Sequence, residues 1–95
     1  EYVCVTEQML IPIPSEMNFI EAAAIPEGLI TVWLNLYLIG QIKAGHQLLI
    51  HGGSSGIGVM AVQFALNTGC NVYTTAKSID KLQLFSHYKN CHILS

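Results

Sequence analysis

The chain has 95 residues, 52% of them apolar and only 11% charged, with a formal net charge of -2. That length fits one small domain, and a net negative charge without a single arginine excludes the phosphate-neutralising chemistry of nucleic-acid binders. A chain this short buries only about 60–65% of the surface its unfolded form exposes. Too few polar residues remain to cover the rest, so the composition predicts a piece of a larger protein whose apolar faces are covered by other elements.

In chain order, Tyr2 to Ile11 alternates weakly and reads as strand or extended chain. Pro12 and Pro14 then hold an extended, turn-like segment. Asn18 with Glu21 three residues later resembles a capping box, opening a short helix over Phe19 to Ala24. Pro26 suits a first helical position, and a longer helix is expected from Glu27 to about Leu38. That helix is apolar on nearly every side, which predicts burial between two layers. Gly40 is its expected C-terminal cap, and Lys43-Ala44-Gly45 is a turn into the next strand.

Leu48-Leu49-Ile50 reads as a buried strand. His51-Gly52-Gly53-Ser54-Ser55-Gly56-Ile57-Gly58 follows, and Val59 to Leu66 reads as a helix. Strand, glycine-rich turn, helix is the arrangement that grips a dinucleotide pyrophosphate, because the turn brings backbone close and the helix start offers its N–H groups. Ile57, Met60, Ala61, Phe64 and Ala65 share one face at helical spacing, which core packing explains. Asn67-Thr68-Gly69 ends the helix. Asn71 to Thr75 is β-branched and aromatic and reads as a second strand. Ser78 is expected to cap a further helix reaching about His87, and Cys91 to Leu94 begins a third strand. The order predicts an α/β fold with a parallel sheet and right-handed crossovers.

In such folds an acidic residue about 20 positions past the first glycine binds the adenosine ribose of NAD. Counting from Gly53 reaches Tyr73-Thr74-Thr75-Ala76, and no acid is there. Lys77, Ser78 and Lys81 follow instead. Cations and a hydroxyl suit a 2'-phosphate, so this loop favours NADPH over NADH. None of the four histidines has a partner placed by sequence, and no catalytic residue is assigned. Tyr73-x-x-x-Lys77 matches a spacing used by short-chain reductases, but that spacing works on a helix and here it starts on a strand. Cys4, Cys70 and Cys91 are odd in number and widely spaced. With no Cys/His pattern for zinc, no metal is expected and reduced thiols are the default. Glu1-Tyr2-Val3 lacks the features of a signal peptide, and the uncharged stretch Gly28 to Ile42 falls short of the ~20 residues that span a bilayer. A cytoplasmic location without a membrane or nucleic-acid partner follows as the expectation.

Three segments together resemble a known family. Ala22-Ala23-Ala24-Ile25-Pro26-Glu27-Gly28-Leu29-Ile30-Thr31, the turn Lys43-Ala44-Gly45, and Ile50 to Gly58 have the order and spacing found in zinc-independent medium-chain reductases, in particular the NADPH:quinone oxidoreductases. The resemblance implies that residues 1–17 end a catalytic, GroES-like domain. Residues 18–45 would be junction helices, and 46–95 the first half of a doubly wound, Rossmann-type NADP-binding domain. It implies a pyrophosphate contact at Ser55, Gly56 and Ile57, with Gly53 and Ser54 in the same turn. It places the 2'-phosphate at Ser78 and Lys81, with Lys77 as a helper, and Thr31 near the nicotinamide. Hydride would pass to a quinone or similar conjugated carbonyl without zinc, in a full-length homodimer. Ser55 departs from the middle glycine of the full fingerprint, and Lys89-Asn90 from the usual Gly-Ala. Enoyl reductases of the same group share nearly every motif. A short-chain reductase also fits the glycine loop, though not the fifty residues before it. A non-enzymatic product associating through apolar faces is the third reading, and the 95 residues alone are expected to give no turnover.

Overall fold

The computed structural model describes residues 1–94, with Ile79 described through its backbone alone. Three short strands carry the fold. They are β1 (Gln47–Ile50), β2 (Asn71–Thr75) and β3 (Cys91–Leu94). They pair in parallel in the order β1-β2-β3, with Leu48 opposite Val72 and Val72 opposite Cys91. Parallel neighbours need a crossover between them. A 12-residue helix, Gly56–Asn67, supplies the first and a 3-10 helix, Ile79–Phe85, the second.

Both crossovers pack on one face of the sheet. There Val62, Ala65 and Leu66 of the long helix meet Val72 of β2 and Leu82 and Phe85 of the 3-10 helix. The inward alternation of β2 buries Val72 and Thr74, as a period of two requires. The opposite face carries Leu49, Tyr73 and His92 side by side. Leu49, expected in a buried strand, is 57% exposed there because no described element packs on this face, and the Tyr73 ring stacks on His92 at 4.7 Å. Tyr73 therefore stands in a strand, with Lys77 exposed beyond the strand's end, and the two share no helix face.

Ahead of the sheet lie α1 (Phe19–Ala23) and α2 (Pro26–Val32); the long helix Gly56–Asn67 is α3. The capping box at α1 forms as its residue types predict. Glu21 N–H donates to Asn18 Oδ1 at 2.9 Å, and Asn18 N–H donates to Glu21 Oε2 at 3.0 Å. Pro26 takes the first position of α2. Residues 2–11 are extended with one 3-10 turn at Glu7–Met9 and join no strand among the described residues. Tyr2, Val3, Met9, Leu10 and Ile11 lie exposed.

Four expectations need correction. The apolar helix after Pro26 is not buried on all sides. Only Val32 is fully enclosed, while Ile30, Trp33, Leu34, Leu38 and Ile39 stay exposed. One side of α2 rests on α3, and no described element covers the other. Beyond Val32 the helix widens into π-helical turns over Trp33–Ile39, closed by a bond from Gly40 N–H to the Asn35 carbonyl at 2.9 Å. Gly40 takes the C-cap position as expected, with a right-handed backbone, and the left-handed residue is Gln41, at φ 46. Ser78 makes no cap bond, and the segment after it is 3-10 rather than α-helical, ending at Phe85. Three residues per turn put Leu82 and Phe85 directly above one another, so both reach the sheet. On α3 the core face is Gly58, Ala61, Val62, Ala65 and Leu66. Ile57 lies 46% exposed, and Phe64 turns toward α2 and the π-helical turns, its ring edge-on to Tyr37.

Candidate cofactor site

The carboxyl end of β1 delivers the chain into a turn at His51–Ser54, and α3 starts at Gly56. Gly52 sits in the left-handed region at φ 69, which glycine adopts without strain. A Cβ at Gly58 would overlap the Gly52 carbonyl, and one at Gly53 would overlap the Thr74 hydroxyl. The first turn of the helix is thus pressed onto the loop before it, and only hydrogen fits between.

Ser55 is the N-cap. Its Oγ accepts from Gly58 N–H at 3.0 Å and donates to the Gly52 carbonyl at 2.8 Å. Among the described residues the N–H groups of Gly56 and Ile57 have no acceptor. They are the first donors of a helix whose dipole favours negative charge there. A cleft of about 440 Å³ opens at this point, lined by Ser55, Gly56, Ile57 and Met60 on one side and by Ala24, Glu27 and Gly28 on the other.

The turn is tied to the end of β2. Thr74 Oγ1 donates to the Ile50 carbonyl at 3.0 Å in a fully buried setting. Gly53 N–H donates to the Thr75 carbonyl at 2.9 Å. The Thr75 hydroxyl accepts from Gly52 N–H at 3.3 Å and lies 3.1 Å from His51 Nδ1.

Of the residues singled out by sequence, Ser55, Gly56 and Ile57 come together as one wall of the cleft. Gly53 is buried beneath the turn and Ser54 half-buried within it. Lys77 and Lys81 are exposed and Ser78 is half-buried on the segment following β2, and none of the three lines the cleft. Leu82 holds that segment against the turn, its Cδ2 lying 3.4 Å from where a Gly53 Cβ would stand. Ala76 packs at the margin of the core, so no carboxylate stands at the end of β2. Thr31 lies one turn past Gly28 on α2, half-buried and outside the cleft lining. Its carbonyl accepts from Asn35 Nδ2 at 2.8 Å. Sequence reasoning passed over the threonine ties and the second wall. Thr74 and Thr75 carry only a strand-propensity signal, and the Ala24–Gly28 wall belongs to a helix distant in sequence.

Among the described residues no group of three His, Cys, Asp or Glu side chains is placed to hold a metal ion. No described helix is long and apolar enough to cross a membrane.

No family model matches the chain. Over 72 residues it is 42% identical to a highly reducing polyketide synthase of Emericella nidulans, an alignment covering 76% of this chain and 3% of the synthase. The JamJ enoyl reductase in its apo form superposes with a TM-score of 0.77 at 32% identity, over 87% of this chain and 25% of that one. The quinone oxidoreductase of Thermus thermophilus, solved also as its NADPH complex, superposes with a TM-score of 0.80 at 29% identity, over 96% of this chain and 31% of that one. This is a Rossmann-type fold. The three strands form a partial parallel sheet of the kind these medium-chain reductases contain, so the chain is related to oxidoreductases. It spans a small part of the curated relative and between a quarter and a third of the two solved chains.

Proposed function

We propose that this chain forms part of an NADPH-dependent reductase that saturates the activated double bond of an enoyl thioester or enone. The observation carrying this reading is the unpartnered pair of N–H groups at Gly56 and Ile57. They face a cleft behind a turn so tight that only glycine fits at residues 53 and 58. A diphosphate fits such a surface, because two N–H donors and the helix dipole meet its charge where Gly56 leaves open space, with Glu27 on the opposite wall. Ser55, Gly56 and Ile57, with Gly53 and Ser54 shaping the turn, would hold that group. Lys77, Ser78 and Lys81 would face the 2'-phosphate, in a segment where Ala76 leaves no carboxylate at the end of β2 and two lysines outnumber Asp80. Thr31 would approach the nicotinamide end. When bound, the cofactor supplies hydride. The protein's part is to orient the acceptor against it.

The acceptor follows from relatedness. The similarity to a polyketide synthase and to an enoyl reductase, at 42% and 32% identity, supports an enoyl acceptor. A quinone acceptor is the second reading, favoured by the Thermus thermophilus structure matching 96% of the chain. The same reading assigns residues 1–17 to the end of a catalytic domain, 18–45 to the junction and 46–95 to the first half of the NADP-binding domain, within a homodimer.

Titration with NADPH and NADH tests the cofactor. NADPH is expected to bind tighter, and Lys81→Ala to weaken NADPH several-fold while leaving NADH unchanged, since an exposed charge pair contributes little beyond about 1 kcal/mol. Tighter NADH binding would sink the assignment of Lys81. NADPH oxidation by the protein with crotonyl thioester or with a benzoquinone decides between the two acceptors.

A further inference from the structure

The strand-end hydroxyl of Thr75 ties down the most conformationally demanding residue of the loop. Its Oγ1 accepts from the N–H of Gly52, at 3.3 Å, while the Thr75 carbonyl accepts from Gly53 N–H at 2.9 Å. Oγ1 has one more neighbour, His51 Nδ1, at 3.1 Å, and that imidazole is exposed to solvent. A hydroxyl that accepts from Gly52 can donate its proton to an unprotonated Nδ1, or accept a second bond from a protonated one. The state of His51 is thereby linked to the orientation of the group that holds the turn.

We propose that Thr75 is the positioning residue of the cofactor turn, with His51 as its proton-dependent partner, making dinucleotide affinity respond to pH. The proposal rests on the reading of this turn as a diphosphate site. His51 opens the turn with its imidazole on the hydroxyl that holds Gly52, so a charge gained there acts beside the turn's backbone while the bond to Thr75 is retained. The other titratable groups around it are few. Tyr73 and His92 lie further along the same sheet face, Lys77, Asp80 and Lys81 follow β2, and Glu27 faces the turn across the cleft. The first turn of α3 contributes none.

Three variants test this by NADPH titration of the protein from about pH 5 to about pH 8, the window in which imidazole changes charge. Thr75→Val keeps the branched shape and removes the hydroxyl, and should weaken NADPH about three- to tenfold, the scale of one neutral hydrogen bond. Thr75→Ser should restore affinity to within about twofold. His51→Asn keeps a neutral bonding group and removes the titration. It should lower the ratio of affinity at the acid end to that at the alkaline end by at least about threefold relative to the unaltered protein. The cofactor's own phosphate protonation is common to all variants and cancels in that comparison. Amide exchange at Gly52 gives a readout independent of the cofactor: it should quicken in Thr75→Val and return in Thr75→Ser. Unchanged NADPH binding by Thr75→Val, or a serine variant no better than valine, would overturn the positioning role. An unaltered pH profile in His51→Asn would remove the histidine from it. Failure of the unaltered protein to bind NADPH at any pH would overturn the cofactor reading, and this proposal with it.

Discussion

Gly58 shows how far one hydrogen atom matters in this molecule. A methyl group there meets backbone rather than a flexible side chain, because the obstacle is the Gly52 carbonyl with Gly53 Cα behind it. Overpacking against backbone costs about 1–3 kcal/mol where the surroundings can shift, and more where they cannot. Gly58→Ala should therefore lower the thermal midpoint and abolish NADPH binding together, whereas Gly56→Ala, with open space around its Cβ position, should leave the midpoint nearly unchanged. Differential scanning fluorimetry of the two variants checks this. The thiols give a second test at the same scale. Burial pushes the Cys70 and Cys91 thiols above their usual value of 9.0. In the unfolded chain they ionise first, so the unfolded state holds fewer protons above about pH 9 and stability falls as pH rises through that region. Below it the contribution is fully present. Cys70→Ala should flatten the alkaline decline in unfolding free energy, measured in urea at a series of pH values. Cys70 also donates to the Lys43 carbonyl at 3.3 Å, which joins the entry of β1 to the exit of α3.

At the scale of elements, the strands and α3 were legible because one signal dominates each of them. Leu48-Leu49-Ile50 is an apolar run, Asn71 to Thr75 is β-branched and aromatic, and the apolar residues of α3 recur at helical spacing, although its start at Gly56, ahead of the expected Val59, is set by the Ser55 cap. The capping box at Asn18 and Glu21 was legible for the same reason: both partners are local. What escaped the sequence depends on tertiary context. Ser78 holds the N-cap position in extended backbone, φ -133 and ψ 122, yet its side chain makes no cap bond, an outcome the residue type alone does not reveal. The shift from Ile57 to Gly58 and Val62 on the buried face of α3 follows from the sheet's position, which periodicity within the helix does not contain. The 3-10 segment makes a sharp prediction. Leu82 is fully buried and also touches the space at Gly53. Leu82→Ala should cost about 2–5 kcal/mol, and in refolded protein it should loosen Ser78 and Lys81 relative to the glycine turn. NADPH preference over NADH should then fall more steeply than affinity for NADH itself, read from paired titrations.

Over the described residues as a whole, the sheet is covered on one face and bare on the other. In a doubly wound architecture the second face belongs to helices of the other half, and Leu49, Tyr73 and His92 occupy it here. The two walls of the cleft at the glycine turn come from α3 and from the Ala24–Gly28 region, and the second escaped the sequence, since nothing local to either segment specifies that they meet. An aromatic pair stands on the π-helical turns. Trp33 stacks on Tyr37 at 4.6 Å, and the Tyr37 hydroxyl lies 2.6 Å from Thr68 Oγ1 at the end of α3. The outward side of Trp33 borders an apolar groove of about 430 Å³ with Leu29, Leu34 and Leu38.

Trp33 is the chain's only tryptophan and is 48% exposed, so its fluorescence is an intrinsic gauge of that groove. Indole emission moves to shorter wavelength as water leaves its surroundings. Emission near that of solvated indole, readily quenched by iodide, is expected wherever the groove stands open, and a blue-shifted, iodide-resistant signal wherever another surface has closed over it. A shielded spectrum from dilute 95-residue chain, unchanged on further dilution, would contradict the exposure seen at Trp33.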